Sequence, residues 1–114
     1  MAEKQITWDR IVNQIRAALE RQNYKDAVTA FLEPLPGDQV EIFNLLDDEE
    51  QALLLEHLNV GATADLFDRL EDSETLEAAE SLSIERLADV LEEMQPDEAA
   101  DLLGDPLIVL GKTF

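Results

Sequence analysis

The sequence predicts an all-α protein, a right-handed α-solenoid or superhelix of short helices with a repeat of about twelve residues. Three observations support this prediction: apolar residues recur at a fixed twelve-residue period, the apolar spacing within each unit is helical, and polar or helix-breaking residues separate the units. The chain of 114 residues is long enough for one domain with a single core.

The repeat is clearest in a column of large apolar residues: Leu46, Leu58, Leu70, Leu82 and Met94. Three parallel columns lie three, four and six residues before it, beginning with Phe43, Ile42 and Val40 respectively. Side chains three and four residues apart lie on the same face of a helix. We therefore expect these columns to form the apolar face of each helix, and the leucine column to be buried.

Helix-starting signals stand between the apolar units. Asp47 and Glu50 have the spacing of a capping box, and Pro36 and Pro96 suit the first position of a helix. The resulting helices have roughly eight to ten residues, too few to be stable alone in water. Each helix must therefore bury its apolar face against its neighbours, as in a solenoid.

The predicted domain covers residues 1–105, with two N-terminal capping helices in 1–34 and the acidic repeats in 35–105. Thr7 is the predicted cap of a first helix, Trp8–Gln22, and Asn23 of a second, Tyr24–Leu32. Residues 106–114 form a predicted C-terminal tail, because Gly104 can end the last helix and Pro106 prevents its continuation.

The net charge of −19 is unevenly distributed along the chain. Residues 1–34 contain five bases and five acids, whereas residues 35–114 contain three bases and 22 acids. This acidic field repels phosphates and anionic lipids, so we expect neither nucleic-acid binding nor insertion of this segment into a membrane. The longest aliphatic run, from Leu107 to Leu110, is also too short to span a bilayer.

Enzymatic chemistry has little support in the sequence. There is no cysteine, which excludes disulfides, thiolate metal sites and cysteine nucleophiles. His57 is the sole histidine, and its place at the end of a predicted helix favours an exposed residue that complements the helix dipole. No glycine-rich phosphate loop is present. We therefore predict that the protein is not an enzyme.

The acidic residues are better candidates for function. Asp97 and Asp101 lie one turn apart on the last predicted helix. Two like charges at this spacing destabilise a helix slightly, so the pair does not contribute to folding stability. Magnesium ions bind through one or two carboxylates and keep several waters. These acids therefore form a candidate weak metal site, one that a partner surface would complete. The alternative, in which the acids only solvate the outer faces, stays open.

Three segments resemble the cytosolic N-terminal domain of MgtE-type magnesium transporters: Leu45–Leu55, Ala62–Phe67 and Ser83–Leu103. That family's repeats read L-x-P-E-x-x-A-x-L-L-x-x-L and end in L-E-E-L-x-x-D-D-A-A-D-L-L. The most specific part of the resemblance is the run Glu92-Glu-Met-Gln-Pro-Asp-Glu-Ala-Ala-Asp-Leu-Leu103. The resemblance covers about residues 7–104, nearly the whole predicted domain.

The resemblance implies a cytoplasmic regulatory domain that senses Mg2+ within a homodimeric magnesium transporter or channel. Mg2+ would act as a weak regulatory ligand between this domain and a CBS domain of the same chain or of the dimer mate, favouring the closed state. By position, Asp97 and Asp101 match acids of the family's terminal helix that face this interface, and Asp65 matches an acid in an earlier repeat. The resemblance therefore implies these three residues as candidate metal ligands.

Two other functions remain open from the sequence. One is a stand-alone acidic adaptor built on helical repeats like those of the flagellar motor-switch protein FliG. Only three bases follow residue 34, which argues against the mixed-charge helix of a FliG motor-facing domain. The other is an acidic decoy for a basic partner. Whether the chain is one domain of a longer protein also stays open.

Overall fold

The computed structural model describes the backbone of residues 2–103 and the side chains of residues 7–102. Over these residues the secondary-structure elements are all α-helices, without strands, which confirms the predicted all-α class. The predicted tail, with Gly104 and Pro106, lies outside the described residues. The helices are α1 (Ala2–Glu20), α2 (Tyr24–Leu32), α3 (Pro36–Leu45), α4 (Asp48–His57), α5 (Val60–Arg69), α6 (Asp72–Ala79), α7 (Ile84–Glu93) and α8 (Pro96–Leu103).

The twelve-residue period sets the starts of the last six helices. They begin at Pro36, Asp48, Val60, Asp72, Ile84 and Pro96. The leucine column falls at or just after the end of each helix from α3 to α7, where the backbone of Leu46, Leu58, Leu70 and Met94 turns to an extended conformation. All five column side chains are at most 5% exposed, so the predicted register is confirmed.

The predicted capping box of Asp47 and Glu50 begins α4. Asp47 accepts a hydrogen bond from the Glu50 amide (2.8 Å), and the Glu50 carboxylate accepts one from the Asp47 amide (2.9 Å). Asn59 caps α5 by accepting from the Ala62 amide (2.7 Å), and Ser83 caps α7. These bonds satisfy first-turn N–H groups that have no partner within the helix.

We expect Asp47→Ala to lower the free energy of unfolding by about 1 kcal/mol, since it removes the acceptor of the Glu50 amide. Asp47→Asn is the matched control, because it keeps an acceptor oxygen. It should lower the free energy of unfolding by only a few tenths of a kcal/mol. Urea denaturation followed by circular dichroism would measure both. Equal losses in the two variants would show that the cap is not the cause.

The prediction for the first helix was wrong at both ends. Helix α1 begins at Ala2, so Thr7 lies inside it, because the residues from Ala2 to Gln5 are all strong helix formers. It ends at Glu20, because Gln22 has a φ of 60° and its amide donates to the Leu19 carbonyl (3.0 Å). Together with a bond from the Asn23 amide to the Ala18 carbonyl (2.8 Å), this is a Schellman ending.

The second helix agrees with the prediction. It spans Tyr24–Leu32, and Asn23 is its cap, with its side chain accepting from the Asp26 amide (3.3 Å).

The chain divides into two compact units, Met1–Leu58 and Asn59–Phe114. In the first, α1 packs against α2, α3 and α4, and α2 packs against α4. Phe31 and Phe43 meet edge to face with ring centroids 6.3 Å apart, and both are buried. The guanidinium of Arg16 joins α1 to α4 by donating to Glu50 (2.8 Å).

In the second unit α5 packs against α7, and α8 packs against α6 and α7. The core there includes Leu66, Phe67, Ala79 and Val90, each at most 2% exposed. Helices two apart in sequence thus lie side by side within this unit, as expected for stacked helical repeats. None of the helices, within the residues described, is long and apolar enough to cross a membrane.

Candidate metal site on helices α6 and α8

Three carboxylates meet where α6 and α8 pack together. Asp72 is the first residue of α6, Glu98 lies in the first turn of α8, and Asp101 follows one turn later. One carboxylate oxygen of each lies within 4.8 Å of the other two. Asp72 and Asp101 are exposed and Glu98 is half-buried. We call these three residues the acidic triad.

Local interactions position the two helices that carry the acidic triad. Glu71 precedes α6, and its amide donates to the Glu74 carboxylate (3.0 Å) as part of a capping box. At the start of α8, the Gln95 amide donates to both carboxylate oxygens of Asp68 on α5, at 3.1 and 3.3 Å. Buried Ala99 and Leu102 hold α8 against the core, so the acids lie on its outer side.

The acidic triad is electrostatically unfavourable without a counter-charge. The pKa of Glu98 is raised above its ordinary value, first because desolvation penalises the charged form. The negative charges of Asp97, Asp72, Asp101 and Asp68 raise this pKa further, in that order. A cation bound among these oxygens would offset the repulsion between them.

The donor set fits a hard divalent cation. Oxygens around an octahedral magnesium ion lie about 2.9 Å apart when adjacent and about 4.1 Å when opposite, given metal–oxygen distances of about 2.05 Å. The oxygens of the acidic triad lie within 4.8 Å of one another, so small side-chain rotations bring them into this range. The exposure of Asp72 and Asp101 leaves the remaining positions open to water or to a partner's oxygens.

Comparison with known proteins agrees with the resemblance noted in the sequence. Residues 35–105, well over half of the chain, match the family described as the MgtE intracellular N domain. The chain belongs to this family. The matched region covers the helices α3–α8 and therefore includes the whole acidic triad.

A solved structure described as the crystal structure of the soluble part of a magnesium transporter is similar to this N domain. The TM-score is 0.74 with 26% sequence identity, over 84% of this chain and 38% of that one. The N domain thus corresponds to well under half of the length of that structure. No curated protein sequence matches the chain.

The structure places the three predicted metal ligands of the N domain differently. Asp101 belongs to the acidic triad, whereas Asp97 is exposed in the first turn of α8 and is not part of it. Asp65 is exposed on α5, where its backbone carbonyl accepts from Arg69 Nη1 at 3.0 Å. Metal binding by Asp101, Asp97 and Asp65 stays a prediction.

Asp72 and Glu98 were not among the metal ligands predicted from the sequence. The proximity of Asp72 to α8 could have been predicted from the repeat. Asp72 starts α6, and Pro96 starts α8 at the same repeat position, 24 residues later. If alternate helices of a solenoid lie side by side, the first turns of α6 and α8 are neighbours. Asp97 and Asp101 lie on a single helix, whereas Asp72 and Glu98 lie on two helices and at different repeat positions.

His57 has the exposed position that its sequence context predicts. It ends α4, and its ring stacks on Tyr24 of α2 with centroids 3.9 Å apart and an angle of 8° between the planes. This contact joins α2 and α4 within the Met1–Leu58 unit.

Proposed function

We propose that this N domain senses Mg2+ and regulates a magnesium transporter of which it is the intracellular domain. The observation that carries the proposal is the acidic triad, in which α6 and α8 bring three carboxylates together in a member of the MgtE N-domain family. Family membership favours this function over the acidic adaptor and the decoy, both of which use the acids only as a surface charge.

The partner in this proposal is a CBS-type domain of the same parent chain or of its mate in a homodimer. The acidic triad supplies three carboxylates on an exposed face and no closed cage. The partner's carboxylates would complete the site, with Asp97 and Asp65 as further ligands. The isolated N domain is therefore expected to bind weakly.

The mechanism is a change in electrostatic repulsion between two surfaces. With Mg2+ scarce, the acidic triad and the partner's carboxylates repel each other, which keeps the domains apart. Bound Mg2+ supplies the positive charge that lets these surfaces approach. Because the completed site exists only in the docked arrangement, the ion binds that arrangement more tightly and shifts the population toward it. In the parent transporter we assign the docked arrangement to the closed state.

Nuclear magnetic resonance titration of the chain with MgCl2 tests the proposal. We expect saturable shifts of amide signals in the first turns of α6 and α8, because the carboxylates of Asp72, Glu98 and Asp101 lie there. The variant Asp72→Asn/Asp101→Asn should abolish saturation.

The matched control is Glu77→Gln/Asp89→Asn, which removes the same charge from exposed positions outside the acidic triad. This control should bind Mg2+ like the wild type. Shifts spread evenly over all acidic helices, or equal losses in both double variants, would contradict a localised metal site.

A further inference from the structure

A glutamate is the third residue of α4, α6 and α8, and it has a different role in α8 than in the other two helices. In α4 that residue is Glu50, and its carboxylate accepts from the amide of the capping residue Asp47 (2.9 Å). In α6 it is Glu74, which accepts from the Glu71 amide (3.0 Å). Glu98 has the same position in α8, which begins at Pro96.

In α8 the amide of the capping residue donates to a carboxylate on another helix. Gln95 accepts the first helical bond, from the Ala99 amide (2.9 Å), and is therefore the capping residue. Its own amide donates to the Asp68 carboxylate of α5, 27 residues away, at 3.1 and 3.3 Å. An amide has a single proton, so this bond takes the place of the capping-box bond that Glu98 would otherwise accept.

We infer that Asp68 is a positioning residue of the metal site: by accepting the Gln95 amide it keeps Glu98 out of a capping box and available to Asp72 and Asp101. This inference rests on the proposed Mg2+-sensing function. Asp68 itself is not part of the acidic triad, and both of its carboxylate oxygens face the Gln95 amide. It acts on the site through the third carboxylate.

Loss of the Asp68 carboxylate should change Mg2+ affinity and folding stability to different extents. When Asp68 is replaced by alanine, Glu98 can turn back and accept the Gln95 amide, as Glu50 and Glu74 do in their own helices. That replacement bond keeps the start of α8 capped, so the stability changes little. The acidic triad is reduced to two carboxylates, so affinity for Mg2+ falls. A residue with only a structural role would lower stability and leave affinity per folded molecule unchanged.

The test measures Mg2+ affinity by calorimetric titration and melting temperature in a set of variants of the full chain. Asp68→Ala should weaken Mg2+ binding about tenfold, at the lower end of what loss of an outer supporting residue costs a metal site. Asp68→Asn removes the same charge as Asp68→Ala but keeps an acceptor for the Gln95 amide, so it should bind Mg2+ more tightly than Asp68→Ala does. Asp68→Ala/Glu98→Gln should bind no more weakly than Glu98→Gln alone, because both changes act through the same carboxylate.

A crystal structure of metal-free Asp68→Ala provides a readout that does not depend on binding. It should show the Glu98 carboxylate within hydrogen-bonding distance of the Gln95 amide. A Glu98 side chain that stays beside Asp72 and Asp101 would overturn the inference, as would an Asp68→Ala affinity equal to that of Asp68→Asn. Absence of saturable Mg2+ binding in the wild type would instead overturn the proposed function and, with it, the role of Asp68 in a metal site.

Discussion

Replacing Phe67 by alanine should lower the free energy of unfolding by about 3–5 kcal/mol, the usual cost of removing a buried phenylalanine ring. Phe67 is 1% exposed and lies on α5, the helix that packs against α7 in the second unit. Its ring fills the position three residues before the column residue Leu70. Alanine at this position leaves a cavity that the neighbouring helices close only partly.

Leu91→Ala is the matched control for this prediction. Leu91 has the same repeat position in α7, three residues before Met94, but it is only half-buried. Truncation there removes less buried surface and should cost less. Urea denaturation followed by circular dichroism would compare the two variants with the wild type. An unchanged denaturation midpoint for Phe67→Ala, or a larger loss for Leu91→Ala, would contradict the assignment of this column to the core.

Burial of the positions three and four residues before the column residue was predictable from the sequence. Burial of the position six residues before it was not. Residues three and four before the column residue are buried in most repeats, because they flank the middle of one helical face. The position six before it lies about 110° from that middle at 100° per residue. Accordingly, Ala64 is buried, Val40 is half-buried, and Ala88 and Ala100 are exposed, although we expected this whole column to lie on the apolar face.

The acidic triad was predicted only in part, for a related reason. Asp101 could be selected because it lies one turn after Asp97, and such spacing along one helix is visible in the sequence. Asp72 and Glu98 meet across two helices, and that meeting depends on which helices pack together. The contact between Asp68 and the Gln95 amide spans 27 residues and has no local sequence pattern. At the start of α1 a local pattern was present but misleading. The helix propensity of the residues before Thr7 outweighed the capping signal at Thr7.

Magnesium should stabilise the chain more than sodium does at the same ionic strength. Both salts screen the repulsion that arises from a net charge of −19. Only a bound ion adds RT ln(1 + [L]/Kd) to the free energy of unfolding, which is about 2.7 kcal/mol when the free ion is at 100 times its Kd. Melting temperature measured against MgCl2 and against NaCl of matched ionic strength would separate binding from screening.

The variant Asp72→Asn/Asp101→Asn should reverse the order of stability between the two conditions. In NaCl we expect it to be at least as stable as the wild type, because it removes two like charges next to Glu98. In MgCl2 we expect it to be less stable than the wild type, because it lacks two of the three carboxylates that bind the ion. Glu77→Gln/Asp89→Asn removes the same charge elsewhere and should keep the full response to Mg2+. If all three proteins respond identically to both salts, screening alone accounts for the effect, and the acidic triad is not a metal site in this chain.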